Sequence, residues 1–509
     1  MRTLPLLKQI LIVAIGCTSA LAQEHHHFER VVDLARERAA VAYQAPASLP
    51  NVLAELNYDQ YRAIDTADDA ILWADQASKF RIELLHLGYL FKKPVQVHIV
   101  DPEGSARLIP FTKDRFEYSR LVVHESIEES AIGGYAGFRL RYPLNGGPSD
   151  FDEIGSFIGA SYFRLLGKDQ RYGLSARGLA LDTVLPDATE EFPDFVAYWL
   201  HQPQPDADVL EIHALLDSPS VAGAFRFLIE PGLSTVAKID VTLCFRSARQ
   251  SVGLAPLTSM YWFGENHKER PFLDWRPEVH DSDGLLIETP IETQWRPLYN
   301  HHAIRNAWFS APEMAGFGLF QRDRDFESYQ DLSNPYWLTP TAWISPLGDW
   351  PAGDVRLIEL PTNNEAMDNV VCYFQPSDLP KAGDEISYSY ELGWKMEDEV
   401  SLSPNRAIST RLGEIVGFPD TRRFVIDFIG PDLEALPADA PIFAEITSST
   451  NGYVTENQCF KNVKTEGWRV EFKLDTDDDN VQPVELRCFL KDPVTGNRLS
   501  ETWTYQWSP

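Results

Sequence analysis

Residues 225–245 read FRFLIEPGLSTVAKIDVTLCF. Phe225–Glu230 and Ser234–Phe245 have the β-branched and aromatic content of strands, and Pro231-Gly232 between them is turn chemistry. The same grammar recurs on both sides. Val95–Val100 and Gly137–Tyr142 alternate apolar and polar residues as half-buried strands do, and Phe80–His86, Val355–Leu360 and Val370–Phe374 read as further strands. Helical patterning is confined to the beginning of the chain. Glu24–Tyr43 places Phe28, Val31, Val32, Ala35 and Ala39 on one face, and Asn51–Ile64 suits a second short helix. The expectation is an all-β protein whose main body is a large sandwich of antiparallel sheets.

The strand pattern restarts after a polar connector. Ile386–Trp394 alternates, Lys395–Arg406 is polar and contains Pro404, and the remainder ends on the strand-like Glu501–Trp507. About seven short strands over this last stretch suit an immunoglobulin-like sandwich. The expected division is a large domain at 23–397 and a smaller one at 405–509, with the acidic run Asp475–Asn480 as a solvated hairpin tip.

Arg2 and Lys8, the apolar run Ile10–Ile15 and Ala20-Leu21-Ala22 have the order of a cleavable export signal over 1–22. The apolar run is too short to span a bilayer, and no later run is long enough. Ala14-Ile15-Gly16-Cys17 is a poor lipoprotein-type box, and there is no twin-arginine pair. The formal charge of -30 argues against nucleic acid or an anionic membrane as partner, since both are bound by clustered Lys and Arg. A neutral ligand such as a sugar is compatible with it. Cys459 and Cys488 could pair in an oxidising compartment or remain buried thiols. The His25-His26-His27 run reads as a solvated helix start. No His/Asp/Glu cluster has ligand spacing, so neither metal nor cofactor is expected.

Four passages carry candidate chemistry. In DWRPEVHDSDGL (274–285), Arg276, Glu278 and His280 would share one face of an extended segment, and Asp281-Ser282-Asp283-Gly284 has turn composition. Gly173-Leu-Ser175-Ala-Arg177 imitates a nucleophile elbow but lacks the second glycine and the strand-to-helix setting. Arg177 is left as either a ligand-positioning group or a buried ion-pair partner. Tyr329, Tyr336, Trp337, Trp343 and Trp350 fall among polar loops; some of them will be core, and so many rings in such a setting is the composition of a sugar-binding cleft in which rings cover apolar sugar faces. Glu365 and Asp368 lie in a loop between two apolar strands.

Taken together, YFRLLGKDQRYGLSARGLALDT, DWRPEVHDSDGL, GFGLFQRDRDF, GDWPAGDVRLIELPT, EAMDNVV and the closing ETWTYQW resemble the osmoregulated periplasmic glucan biosynthesis family of G and D type. The resemblance runs over nearly all the chain beyond the signal. It implies a galactose-mutarotase-like β-sandwich followed by an immunoglobulin-like domain, in the periplasm of a Gram-negative cell. It also implies work on β-1,2-glucan, with members that cleave or transglycosylate the backbone by inversion. Its carry-over puts the general acid on Asp368 with Glu365 beside it, Tyr336 at the substrate, and the base in the His280–Asp283 segment, with Asp281 favoured over Asp283. Burial beside Glu365 is expected to keep Asp368 protonated, and Tyr336, as a loop aromatic facing a cleft, to contribute little core. The expected cleft is lined by Tyr336, Trp337, Arg177 and that segment, His280 included. The alternative function is a non-catalytic scaffold that presents glucan to other enzymes. A homodimer is allowed for.

Overall fold

A computed structural model describes residues 28–119, 127–147, 149–267, 273–396, 403–477 and 482–508. The expected signal, Cys17 and the His25–His27 run lie outside them, as do 397–402 of the connector and 478–480 of the acidic tip. The chain is an all-β sandwich protein gathered into two compact units. The first holds the chain up to Leu165 with Arg177–Val252 and Asp378–Tyr390; the second holds Leu166–Ala176, Gly253–Ser377 and Glu391–Pro509.

In the first unit, Thr235–Phe245, Val221–Glu230, Leu210–Asp217 and Asp194–His201 are successive antiparallel neighbours, and Gln96–Val100 pairs in parallel with Asp194–His201. The 225–245 stretch is therefore one long hairpin. Arg81–Leu85, Gly137–Tyr142, Asp152–Ile158 and Tyr162–Leu165 make a second antiparallel series. The inward residues of the two series meet edge to face, Phe157 against Phe227 at 5.2 Å and Phe138 against Tyr198 at 4.9 Å. Burying each such ring stabilises the fold by about 1.5–3 kcal/mol. The other face of the 225–245 hairpin sheet is covered by a helix over 28–39. Its Phe28, Val31, Val32 and Ala35 pack on Trp199, Leu215, Ala222 and Ala224, where two alanines leave room for a helix. The helical face read from the sequence is the buried one. The expected second helix is two short ones, Asn51–Ala54 and Tyr58–Arg62, the latter started by a capping box between Asn57 and Gln60.

In the second unit, Ser175–Arg177 pairs with Val252–Ser259 through Ser175 and Ala176, and Val252–Ser259 is followed across the sheet by Val370–Pro376, Gly353–Glu359 and Arg305–Ser310. A second sheet orders Phe443–Ser448, Val484–Lys491, Thr502–Trp507, Thr293–Pro297, Gly284–Glu288, Gly316–Phe320 and Thr341–Leu347. The closing strand joins it by parallel pairing, Trp295 with Trp503. A four-stranded sheet of Arg406–Ile415, Phe418–Ile429, Trp468–Thr476 and Gly452–Lys461 completes the unit. Phe424 and Phe472 stack at 5.0 Å and meet the Trp503 ring edge on. Cys459 and Cys488 are free thiols, so of the two readings the unpaired one applies.

Candidate functional site

The site grows from the end of the strand Val252–Ser259. Thr258 Oγ1 donates to Asp368 Oδ2 at 3.4 Å, and two residues on the Met260 carbonyl accepts the Asp281 N–H at 2.9 Å. The Thr258 hydroxyl thus holds the Asp368 carboxylate and the Met260 carbonyl holds the backbone of Asp281, more than eighty positions away in sequence. Asn369, next to Asp368, fixes the loop's return: its amide donates to the Tyr261 and Leu360 carbonyls and accepts the Tyr261 N–H at 2.8 Å. Gly173 closes the other side. A Cβ there would sit 2.1 Å from Thr339 Cγ2 and 3.0 Å from Asp281 Oδ1, so only glycine allows this approach. The Arg171 N–H donates to the Leu338 carbonyl, which ties the same loop to the turn Tyr336–Leu338.

Arg276 organises the carboxylates around this centre. Its guanidinium is 2.8 Å from Asp274, 2.5 Å from Glu365 and 3.3 Å from Asp331. The hydrogen bonds from Asp274 and Glu365 hold it more firmly protonated than usual despite burial. Tyr336 Oη donates to the same Glu365 oxygen at 3.0 Å. Burial first, then the charges of Glu365 and Asp281, push the Tyr336 phenol well above its ordinary range, so it is a neutral donor between two carboxylates.

Beneath lies a buried layer. His280 is fully buried and stacked on Tyr261. Its Nε2 is 3.0 Å from Glu278 Oε2 and its Nδ1 2.9 Å from Gln321 Oε1; Gln321 spends its own amide on the His280 and Tyr336 carbonyls. Both imidazole nitrogens therefore donate. Desolvation lowers the His280 pKa, but Glu278, Asp283 and Asp323 outweigh it and the net direction is upward. Asp283 Oδ2 accepts the Arg322 and Asp323 N–H groups at 2.8 and 2.9 Å, while its buried Oδ1 has no hydrogen-bond partner among the described residues. Burial pushes its carboxyl up to about 6 against His280 and Arg322. Asp283 lines a cavity of about 40 Å³ with Glu265, Glu278, His280, Arg322 and Asp323.

A family model described as periplasmic glucan biosynthesis protein, MdoG, matches residues 26–507. The chain belongs to this family. It is similar to glucans biosynthesis protein G of Ralstonia nicotianae, 40% identical over 98% of this chain and 100% of the relative. A probable glucans biosynthesis protein D of Shewanella oneidensis is 38% identical, covering 100% of this chain and 93% of its own. Glucans biosynthesis protein G of Pseudomonas paraeruginosa is also 38% identical, over 94% and 91%.

Within this periplasmic glucan biosynthesis fold, the expected site residues separate into three groups. Tyr336 bonds Glu365 and feels the charge of Asp281, while Asp368 is bonded to Thr258, two residues before the Met260 carbonyl that holds the Asp281 N–H. His280 is buried between Glu278 and Gln321, and Asp283 is held by the Arg322 and Asp323 N–H groups. Arg177 is buried in the first unit, paired with Glu190 at 3.1 Å beneath the Tyr162 and Phe192 rings, which is the ion-pair alternative. Two further expectations change, and the aromatics divide. Tyr336 is not a loop ring contributing little to the core: it is 7% exposed and packs with Met260, Phe263, Val279 and Tyr329, offering its hydroxyl. Asp368 is exposed rather than buried beside Glu365, and Glu365 is itself neutralised by Arg276. Among the cleft aromatics, Tyr329 and Trp343 are core residues and Trp337 is half-buried edge-on to Phe326. Sequence reasoning missed Trp275, 66% exposed beside Arg276, although it stands inside the quoted 274–285 motif. Ser175 lies in a strand, as the missing elbow context requires. Among the described residues no helix is long and apolar enough to cross a membrane.

Proposed function

We propose that the chain acts in periplasmic glucan biosynthesis by cleaving or transglycosylating the β-1,2-glucan backbone with inversion. Asp368 is the general acid and Asp281 the base, with Glu365 and the Tyr336 hydroxyl positioning the sugar and the exposed Trp275 ring offering an apolar platform. The observation that carries this reading is that the Thr258 hydroxyl holds the Asp368 carboxylate while the Met260 carbonyl holds the backbone N–H of Asp281, beside the Arg276–Glu365–Tyr336 chain. Inversion needs two carboxyls on opposite faces of the reacting bond, about 6.5–9.5 Å apart or linked through a water or hydroxyl relay. Family membership supports the substrate class, because the relatives are named for glucan biosynthesis.

The scaffold reading has one observation in its favour. Asp368 is exposed, and an acid that must stay protonated near neutral pH needs desolvation. In the catalytic reading the bound glucan supplies that cover. Incubation of the protein with linear β-1,2-glucan, followed by product analysis, separates the two. Shorter or rearranged chains support catalysis, and binding with unchanged substrate supports the scaffold. The domain division at 23–397 and 405–509 is part of the same proposal.

A further inference from the structure

We propose that the first unit carries a divalent transition-metal site, fitted to zinc, in which His201 Nε2 and His213 Nδ1 are the ligands and Glu211 orients His213. The two nitrogens are 3.4 Å apart. Two imidazole nitrogens each about 2.1 Å from one tetrahedral ion are separated by about 3.4 Å. The other nitrogen of His213, Nε2, is 2.7 Å from Glu211 Oε1. That bond makes Nε2 the protonated nitrogen and leaves the Nδ1 lone pair facing His201, the carboxylate–histidine–metal arrangement that raises ligand basicity. Suitable ligand atoms of all three residues lie within 4.8 Å of one another.

The fold builds this cluster from neighbouring strands. Glu211 and His213 are two apart on Leu210–Asp217 and so share a face. The register Trp199↔His213 and Leu200↔Ile212 carries His201 to the level of Glu211 on the adjoining strand. Phe28, at the start of the 28–39 helix, sets its ring edge against the His213 imidazole at 5.4 Å. His213 is fully buried, whereas His201 and Glu211 are half-buried and give an ion access. Arg226, cross-strand from His213, is paired at 2.6 Å with Asp240. Water or another ligand completes a site with two protein nitrogens. The sequence hides it, because His201 and Glu211 are ten positions apart.

The test is zinc binding by the full chain, read by competition with a chromophoric chelator. The run of three histidines at 25–27 can bind metal by itself, so the parent for every comparison carries His25→Ala, His26→Ala and His27→Ala. The parent is expected to bind one zinc per chain with micromolar or tighter affinity. His201→Ala, at a half-buried position, is expected to lower that affinity at least 100-fold with the circular dichroism spectrum unchanged, and Glu211→Gln by about 10–100-fold, as loss of an orienting partner does. His213→Ala serves as a second ligand variant where it folds. Equal zinc affinity in the parent and His201→Ala, or no zinc bound by the folded parent, overturns the proposal. A His201→Ala loss without any effect of Glu211→Gln overturns the orienting role.

Discussion

Glu265 stands at the edge of the small polar cavity, 26% exposed, with the Thr410 N–H donated to one oxygen and Arg411 2.9 Å from the other. Burial raises its carboxyl to about 7, against Arg411 and with help from Glu278. A group whose folded pKa exceeds its unfolded value contributes stability that is complete below the unfolded pKa and is lost as pH rises through the folded one. For Glu265 that window runs from 4.5 to about 7. The shift corresponds to about 3 kcal/mol at 1.36 kcal/mol per pH unit. Glu265→Gln keeps the shape and does not titrate. The variant should therefore match the parent near pH 4.5 and become more stable by about 3 kcal/mol at pH 8, roughly 6 °C or more in Tm for a unit of this size. Asp283 titrates in the same cavity, so the readout is the difference between variant and parent across pH by calorimetry. If the variant is instead less stable than the parent at pH 8, the Arg411 ion pair outweighs desolvation and the reasoning fails.

Asp368→Asn should reduce turnover on β-1,2-glucan to background while leaving thermal stability within about 0.5 kcal/mol, because the side chain is exposed and the hydrogen bond it accepts from Thr258, at 3.4 Å, is long; parent-like product formation would remove Asp368 from the acid role. Tyr336→Phe keeps the packed ring and deletes only the donor to Glu365, so oligosaccharide affinity should fall about 5–10-fold by isothermal titration with little loss of Tm; unchanged affinity would make the hydroxyl structural. Phe157→Ala should cost about 3–5 kcal/mol in denaturant unfolding, since its ring is fully buried against Phe138, Phe163 and Phe227. Limited proteolysis should cut at 398–406, and the nicked chain should still elute as one species because Thr502–Trp507 pairs with Thr293–Pro297; preferential cutting inside 200–350 into two stable halves would count against the domain division.

Local pattern was enough to determine the elements. Gly137–Tyr142, the 225–245 hairpin, the closing strand and the buried face of the 28–39 helix were legible because alternation with period two and apolar spacing near 3.6 are properties of neighbouring residues. The family was legible for the same reason, since its long motifs are contiguous. Tertiary structure alone decided which side chains meet. Asp283 and Asp281 are two apart in one motif, yet the backbone of 322–323 captures the first while Gly173 and Met260 frame the second. Tyr336 reads as a loop ring until the strand Val279–His280 is packed beneath it. His201 meets His213 only through a register between strands. Burial, carboxylate pairing and metal geometry depend on distances between residues far apart in sequence, and hydrophobic pattern carries no term for those distances.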